Sequence, residues 1–187
     1  PNKFSSLFLQ AVTEIKKTNK IQSLYKKSSN FDRSNQRIIL ETSGTTGLKK
    51  KIIHGILALE YQAKAVTERL NLSVNDRQLA YMPLNYIYGM SVVFTWLNSG
   101  SSLAVSHHGV QSMSKFFDEI LRAEITLFSG VPHTYLLMKR WGFKKLKSSK
   151  IRCLTQAGGY LPKLVKNKIQ KDLPNINFFV MYGQTEF

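Results

Sequence analysis

The sequence is poor in cysteine and has no long apolar run. Its single cysteine, Cys153, excludes a disulfide framework within the chain and favours a reducing compartment, so a cytoplasmic location is expected. Cys153 lies in the apolar run IRCLT, which favours a buried structural thiol over a nucleophile. No apolar stretch is long enough to cross a bilayer and no signal peptide is visible, so no transmembrane segment is predicted.

Acidic residues are also scarce, with 11 Asp and Glu against 27 Lys and Arg, a net charge of +16. Such an excess is compatible with nucleic acid, an anionic membrane or small anionic ligands. The basic residues are mostly lysines spread along the chain, and they do not alternate with aromatic side chains as in a nucleic-acid stacking platform. A lysine-rich solvated surface is therefore the favoured interpretation, and no nucleic acid partner is expected.

Strand-like and helix-like segments alternate along most of the 187 residues, which are 43% hydrophobic. The predicted strands are 38–40, 51–54, 78–83, 101–106, 125–129, 151–155 and 177–183. The predicted helices are 4–17, 57–70, 89–97, 112–122, 132–140 and 163–171. This alternation predicts an α/β fold with much parallel sheet. Residues 1–36 are interpreted as a partial N-terminal region with an irregular linker, and 37–187 as the core domain.

The stretch ETSGTTGLKKKIIHG places hydroxyl and glycine residues directly before three lysines. These hydroxyl and glycine residues are Thr42, Ser43, Gly44, Thr45, Thr46 and Gly47. Glycines let backbone amides approach an anion, while hydroxyls and lysine add donors and charge, so a phosphate loop is one interpretation. An ordinary surface turn is the other. The pattern G-x-x-x-x-G-K-[ST] is not met, and both flanks predict strands, so no helix dipole is expected to contribute.

Ligands of parallel sheets bind beyond the carboxyl ends of the strands. The polar segments expected there are 85–89, 129–132, 156–160 and 182–186. They contain the glycine pair of TQAGGYLP, the aromatic residues of PLNYIYG, and the ring, hydroxyl and carboxylate of YGQTE. Each segment alone is weak evidence, because a Tyr–Gly pair is usually a turn and a lone Glu usually faces solvent.

In combination, the segments TSGTTGLKK, PLNYIYG, GVP, AGG and YGQTE resemble, in order and separation, the adenylate-forming (AMP-binding) enzymes. This family includes acyl-CoA synthetases, nonribosomal peptide adenylation domains and beetle luciferases. The resemblance runs from Arg37 to Glu186 and implies part of the family's large N-terminal domain, with layered sheets and flanking helices. Two positions depart from the family pattern, since Lys49 replaces a usual proline and Tyr86 a frequent histidine.

The resemblance implies ATP-dependent activation of a small carboxylic acid as an acyl-adenylate, followed by transfer to a thiol. The implied acceptor is CoA or the phosphopantetheine of an acyl carrier protein. The phrases LTQAGG and FFVMYGQTE are most similar to acyl-CoA synthetase-like members, which points to fatty acid metabolism. ATP and Mg²⁺ are the implied cofactors.

The resemblance also assigns residues of the phosphate side of the site. Residues Thr42 to Gly47 are implied to hold the β- and γ-phosphates, with support from Lys50. Thr185 is implied to bond the α-phosphate, and Glu186 to ligate Mg²⁺, which prefers hard oxygen ligands. Lys50, Thr185 and Glu186 are therefore the expected catalytic residues.

On the adenine side, Tyr182 is implied to stack on the base, with the backbone of Gly158 and Gly159 as the opposite wall. The remaining nucleotide contacts implied are Tyr160, Gly183 and Gln184. The residues implied to border the acyl site are Tyr86, Tyr88, Gly89 and Gly183.

Family members continue well beyond YGQTE, into a part with the ribose-binding acidic residue, a hinge and a small C-terminal domain carrying a lysine. None of that part is expected in these 187 residues, so they are expected to bind nucleotide weakly and not to turn over. Two alternatives stay open from the sequence, a non-catalytic relative that binds a nucleotide or a partner and a basic nucleic-acid-binding protein.

Overall fold

A computed structural model describes residues 35–42 and 50–186, and those from Arg37 onward form one compact unit. The predicted helix 4–17 and the loop residues 43–49 lie outside the described residues. Within the described part, a two-stranded antiparallel sheet precedes a five-stranded parallel sheet with helices between its strands. The predicted α/β fold class is confirmed.

The chain enters the unit through a β-hairpin. Strand β1, Arg37–Thr42, pairs with β2, Lys50–Gly55, and Thr42 lies opposite Lys50 at the open end. The prediction that the hydroxyl-rich loop joins two strands is therefore confirmed. Helix α1, Ile56–Arg69, begins only after β2 has ended, so its N-terminus is at the far end of the strand from the loop.

The parallel sheet has the strand order β4-β3-β5-β6-β7. Its strands are β3 Arg77–Ala80, β4 Ser102–Val105, β5 Leu127–Gly130, β6 Cys153–Gln156 and β7 Asn177–Val180. The helices between them are α2 Ile87–Ser99, α3 Met113–Arg122, α4 Pro132–Trp141 and α5 Lys163–Asp172. Two short 3₁₀ turns, Gly109–Gln111 and Phe143–Leu146, complete the described elements. All the predicted helices and strands after residue 37 are present.

The two faces of the parallel sheet differ in their packing. On one face, apolar residues of α3, α4 and α5 cover Leu79, Phe128 and Leu154, which are at most 1% exposed. On the other face, α1 and α2 cover a smaller apolar group that includes Leu127 and Cys153. Cys153 is fully buried, and burial raises the pKa of its thiol to about 11 from an ordinary 9.0. The thiol is therefore protonated near neutral pH, which agrees with a structural role.

Two strands next to motif segments end earlier than the sequence predicts. The segment predicted as 78–83 ends at Ala80, because Pro83 has no backbone N–H and its carbonyl closes a turn with the Tyr86 N–H at 3.1 Å. The segment predicted as 177–183 ends at Val180 and leaves YGQTE in a loop. These early ends place the motif residues beyond the carboxyl edge of the sheet.

The amino-terminal ends of three strands of the parallel sheet are joined by one charged hydrogen-bond network. The Asp76 carboxylate accepts hydrogen bonds from Thr126 Oγ1 at 2.8 Å, the Ser73 N–H at 2.9 Å, and Arg152 Nε and Nη2 at 2.8 and 2.7 Å. Burial alone would raise the pKa of Asp76, but these bonds outweigh it and lower the pKa below the ordinary 3.8. Asp76, Thr126 and Arg152 immediately precede β3, β5 and β6, so the network aligns the starts of three strands.

Candidate functional site

Two motif segments meet where β6 and β7 end. In their parallel register Gln156 lies opposite Val180, and the Met181 N–H donates to the Gln156 carbonyl at 2.7 Å. The loops AGGY and YGQTE therefore leave the sheet side by side. The Gln156 side-chain amide nitrogen donates to the Gly159 carbonyl at 2.8 Å, and this bond holds the AGGY loop against the end of β6.

The glycine pair has a backbone that a side chain would obstruct. Gly158 has φ +81° and Gly159 has φ +149°, values that L-residues rarely adopt. A Cβ on Gly158 would also run into the Tyr86 hydroxyl, and one on Gly159 would lie 3.4 Å from Pro132 Cγ. Both glycines are exposed, so they present bare backbone toward solvent, which is what a flat ligand wall needs.

The YGQTE loop presents one aromatic ring and one carboxylate. Tyr182 is 85% exposed, and its hydroxyl accepts a hydrogen bond of 2.6 Å from Gln184 Nε2. Thr185 is half-buried and Glu186 exposed. Tyr160, after the glycine pair, is 79% exposed. Such exposed rings in a polar loop have a free face on which a planar base can stack.

The aromatic residues of PLNYIYG are positioned by the start of α2. The Tyr86 hydroxyl lies against Gly158, while Tyr88 is 7% exposed and bonded to Thr155 Oγ1 at 2.7 Å. Burial raises the pKa of Tyr88 well above its ordinary 10.0, so its hydroxyl is neutral. A Cβ on Gly89 would run into the Pro83 carbonyl, which accounts for this glycine by packing.

A small cavity of mixed polar and apolar lining lies beneath Tyr88, between helices α1 and α2 and the sheet. Its volume is about 10 Å³, which is room for one water molecule. Its polar lining consists of Gln78, Tyr88, Ser91, Thr95, Ser129 and Thr155. Its apolar lining consists of Val66, Leu70, Val92, Leu127 and Met181. Met181 directly follows β7, so the cavity borders the YGQTE loop.

The structure thus brings together Tyr86, Tyr88, the glycine pair and the start of YGQTE. Thr42 and Lys50 lie at the end of the hairpin, and Ser43, Gly44, Thr45, Thr46 and Gly47 lie outside the described residues. The convergence of this loop with Glu186 on one triphosphate stays a prediction.

Within residues 35–42 and 50–186, no group of three or more His, Cys, Asp or Glu is arranged to hold a metal. In the same part of the chain, no helix combines the length and apolarity of a membrane span.

The sequence reasoning missed Gln78 and Thr155 of the cavity, and it included Ser129 only as the first residue of the polar segment 129–132. Their signal was present but ambiguous, since a polar residue inside a short apolar strand is either buried or at an edge. The register resolves it, because Gln78 pairs with Leu127, and Ser129 with Thr155, on the face that α1 and α2 cover.

Residues 6–187 match the model of the family described as AMP-binding enzyme. The 2-succinylbenzoate–CoA ligase of Bacillus subtilis is 33% identical over 151 residues, covering 79% of this chain and 29% of the relative. The 4-coumarate–CoA ligase 1 of Narcissus pseudonarcissus is 25% identical, covering 78% of this chain and 27% of the relative. The chain therefore spans less than a third of the length of these two relatives.

Solved structures of the same kind have the same fold. An o-succinylbenzoate CoA synthetase from Bacillus subtilis bound to a product analogue superposes with a TM-score of 0.70 at 26% identity, over 79% of this chain and 29% of that one. A structure of this synthetase in complex with ATP and magnesium ion gives a TM-score of 0.69 at 28% identity, over 79% of this chain and 30% of that one.

Proposed function

Since the chain belongs to the AMP-binding enzyme family, we propose that the protein activates a carboxylic acid with ATP and transfers the acyl group to a thiol. In the first step a carboxylate oxygen attacks the α-phosphorus, and pyrophosphate leaves with the electron pair of the broken P–O bond. In the second step a thiolate attacks the acyl carbon and AMP leaves. The observation that carries the proposal is the side-by-side exit of AGGY and YGQTE from β6 and β7.

The adenine binds between the Tyr182 ring and the backbone of Gly158 and Gly159. Support comes from the exposure of the ring and from the absence of space for a side chain on Gly158. Gln184 holds the Tyr182 hydroxyl and so limits rotation of the ring. Tyr160 and Gly183 complete this side of the site.

The triphosphate binds to the loop 42–47, Lys50 and Thr185. Attack by a carboxylate on a phosphate brings like charges together, so the residues must offset this repulsion as charge builds on the pyrophosphate. Lys50 and the loop amides supply positive charge and donors, and Thr185 supplies one hydroxyl donor to the α-phosphate. Mg²⁺ supplies Lewis-acid stabilisation of phosphate oxygens when bound. Glu186 would hold it as a carboxylate ligand, which fits a metal that takes one or two carboxylates plus substrate phosphates.

The acyl group lies beside Tyr86, Tyr88, Gly89 and Gly183, next to the small cavity beneath Tyr88. CoA is the favoured acceptor, because the named relatives are CoA ligases. A phosphopantetheine on an acyl carrier protein offers the same thiol and is the second candidate acceptor.

ATP–pyrophosphate exchange tests the first step. The protein is produced from its complete gene, since the 187 residues cover less than a third of the relatives. We expect exchange that depends on a carboxylic acid from a broad panel and on Mg²⁺, and that Glu186→Gln lowers. CoA and a phosphopantetheinylated carrier protein are then compared as acceptors.

The outcomes separate the competing functions. ATP binding without exchange on any acid would identify a non-catalytic relative. Absence of ATP binding together with steeply salt-dependent binding of DNA or RNA, unaffected by Glu186→Gln, would identify a nucleic-acid-binding protein instead.

A further inference from the structure

Gln156 is a buried polar residue at the point where the two motif loops leave the sheet. It is the last residue of β6, it is fully buried, and it pairs with Gly130 of β5 and Val180 of β7. A long amide side chain in the middle of a sheet must find its hydrogen bonds inside the protein. The bonds that Gln156 makes therefore indicate what the residue does.

The side chain of Gln156 holds the AGGY loop. Its Nε2 atom donates to the Gly159 carbonyl at 2.8 Å, and because a carbonyl can only accept, this bond determines which way the amide is turned. In the described part of the chain, no backbone–backbone hydrogen bond reaches Gly158, Gly159 or Tyr160. The conformation of this exposed glycine pair therefore depends on the bond from Gln156.

The glycine pair needs such a bond because glycine is the residue with the most conformational freedom to lose. Without it, Gly158 and Gly159 would sample many backbone conformations, and a ligand that packs on them would have to order them as it binds. Such ordering lowers affinity, whereas a wall that is already fixed does not carry this cost. A flat wall made of two glycines is thus preorganised only if a residue outside the pair holds it.

The main chain of Gln156 holds the second loop. Its carbonyl accepts a hydrogen bond of 2.7 Å from the Met181 N–H, one residue before Tyr182. The carbonyl of the preceding residue, Thr155, accepts a hydrogen bond of 2.7 Å from the hydroxyl of the fully buried Tyr135, which fixes the end of β6 to α4. Gln156 thus connects both loops to one anchored point of the sheet.

We propose that Gln156 is a positioning residue for the nucleotide, which sets the width of the adenine cleft by holding the AGGY wall through its side chain and the YGQTE wall through its carbonyl. This inference rests on the proposed function and deepens it, since it concerns the same nucleotide site. Because Gln156 is fully buried, it acts through Gly159 and not by touching the base.

Gln156→Met tests the inference in the protein produced from its complete gene, because Met keeps the length of the side chain and removes the donor. We expect the Kd for ATP, measured by titration calorimetry with Mg²⁺, to rise about 3- to 10-fold, the factor that corresponds to one lost intramolecular hydrogen bond. In ATP–pyrophosphate exchange the KM for ATP should rise while kcat and the KM for the acid change little, because the lost binding is shared by ground state and transition state.

A double-mutant cycle with Tyr182→Ala shows whether the effect works through the cleft. When the ring is absent, the position of the opposite wall matters less, so Gln156→Met should raise the Kd for ATP less than about twofold in the Tyr182→Ala background. Selective ¹⁵N-glycine labelling adds a measurement without nucleotide. The order parameters of the Gly158 and Gly159 amides should fall in Gln156→Met.

Two control variants separate positioning from stability. Gln62→Met removes a comparable amide bond, from Nε2 to Ser91 Oγ at 3.1 Å between α1 and α2, and Asp76→Asn weakens the amino-terminal end of the sheet. Both should bind ATP as the wild type does. Gln156→Asn is a second test variant, whose amide is one methylene too short to reach the Gly159 carbonyl, and it should weaken ATP binding as Gln156→Met does.

Each outcome supports or overturns the inference. An unchanged Kd for ATP in a folded Gln156→Met variant, full additivity with Tyr182→Ala, or an equal loss of ATP binding in Asp76→Asn would overturn it and leave the proposed function standing. Unfolding of both Gln156 variants would show that the residue serves the fold and would overturn the inference as well. If the wild type binds no ATP, the proposed function fails and the inference fails with it.

Discussion

Gly158 shows how one position can be restricted by its backbone and by a neighbour. We expect Gly158→Ala to lower the free energy of unfolding by about 1–2 kcal/mol, because φ +81° is unfavourable for alanine. Its Cβ would also displace the Tyr86 hydroxyl, the mobile end of that side chain. In the Tyr86→Phe background this second cost should disappear, with a coupling of about 0.5–1 kcal/mol in a double-mutant cycle measured by urea unfolding. Additive effects would show that the ring and the glycine are independent.

Tyr182 carries the residue-scale prediction for nucleotide binding. Tyr182→Ala should weaken ATP binding by about 5- to 150-fold, since stacking of a base on an aromatic ring is worth about 1–3 kcal/mol. Tyr182→Phe keeps the ring and loses only the bond to Gln184, so its effect should be smaller. Titration calorimetry with ATP and Mg²⁺ measures both. Tyr61→Ala, on a ring that is 77% exposed on α1, is the control and should bind as the wild type does.

Residues of the site differ in how far the sequence could identify them. The glycine pair and YGQTE follow strands, and the parallel sheet brings such positions together by rule. Gln78 could not be found in this way, because its place in the cavity depends on the face of the sheet to which β3 turns it.

At the scale of elements, Asp76 joins the starts of three strands. Asp76→Asn keeps the shape of the side chain and removes its charge, so we expect a loss of about 2–3 kcal/mol at pH 7, moderated because Arg152 is partly exposed. The folded-state pKa of Asp76 is lowered, so its contribution is complete above the ordinary 3.8 and is lost as pH falls through the folded value.

The stabilities of the wild type and Asp76→Asn should therefore begin to converge below about pH 4, and the convergence should be complete only below the folded-state pKa of Asp76. Urea unfolding of both proteins between pH 7 and pH 2.5 measures this convergence. A constant difference over the whole range would mean that Asp76 acts through shape and not through its charge.

Helices and strands were predictable to different degrees. Helix α3 has apolar residues at helical spacing, and its predicted range 112–122 agrees with Met113–Arg122 within one residue. Strand ends were less predictable, because an apolar residue such as Met181 continues to pack after the ladder has ended at Val180. Hydrogen bonds between strands, which the sequence does not contain, determine where a strand ends.

At the scale of the whole unit, the two faces of the parallel sheet differ in how completely they are packed. The face under α3, α4 and α5 carries an aromatic cluster, in which Phe128 stacks with Tyr81 at 5.5 Å and meets Phe116 edge-on at 5.8 Å. The face under α1 and α2 carries the small cavity beneath Tyr88. A change in the substrate specificity of this unit is therefore expected from substitutions on the second face, where packing is less complete.

Cys153 can report how this whole unit opens. It is the only cysteine of the chain, it is fully buried in a strand with neighbours on both sides, and burial raises its thiol pKa to about 11. At pH 8 a disulfide reagent such as Ellman's should therefore react only after the sheet has opened, because reaction needs an accessible thiolate. When closing is fast relative to labelling, the rate follows the open population, so Asp76→Asn should label about 30- to 150-fold faster, matching its expected loss of about 2–3 kcal/mol. Cys153→Ala gives the background. Fast labelling of the wild type in native buffer would mean that Cys153 becomes accessible without opening of the sheet between β5 and β7.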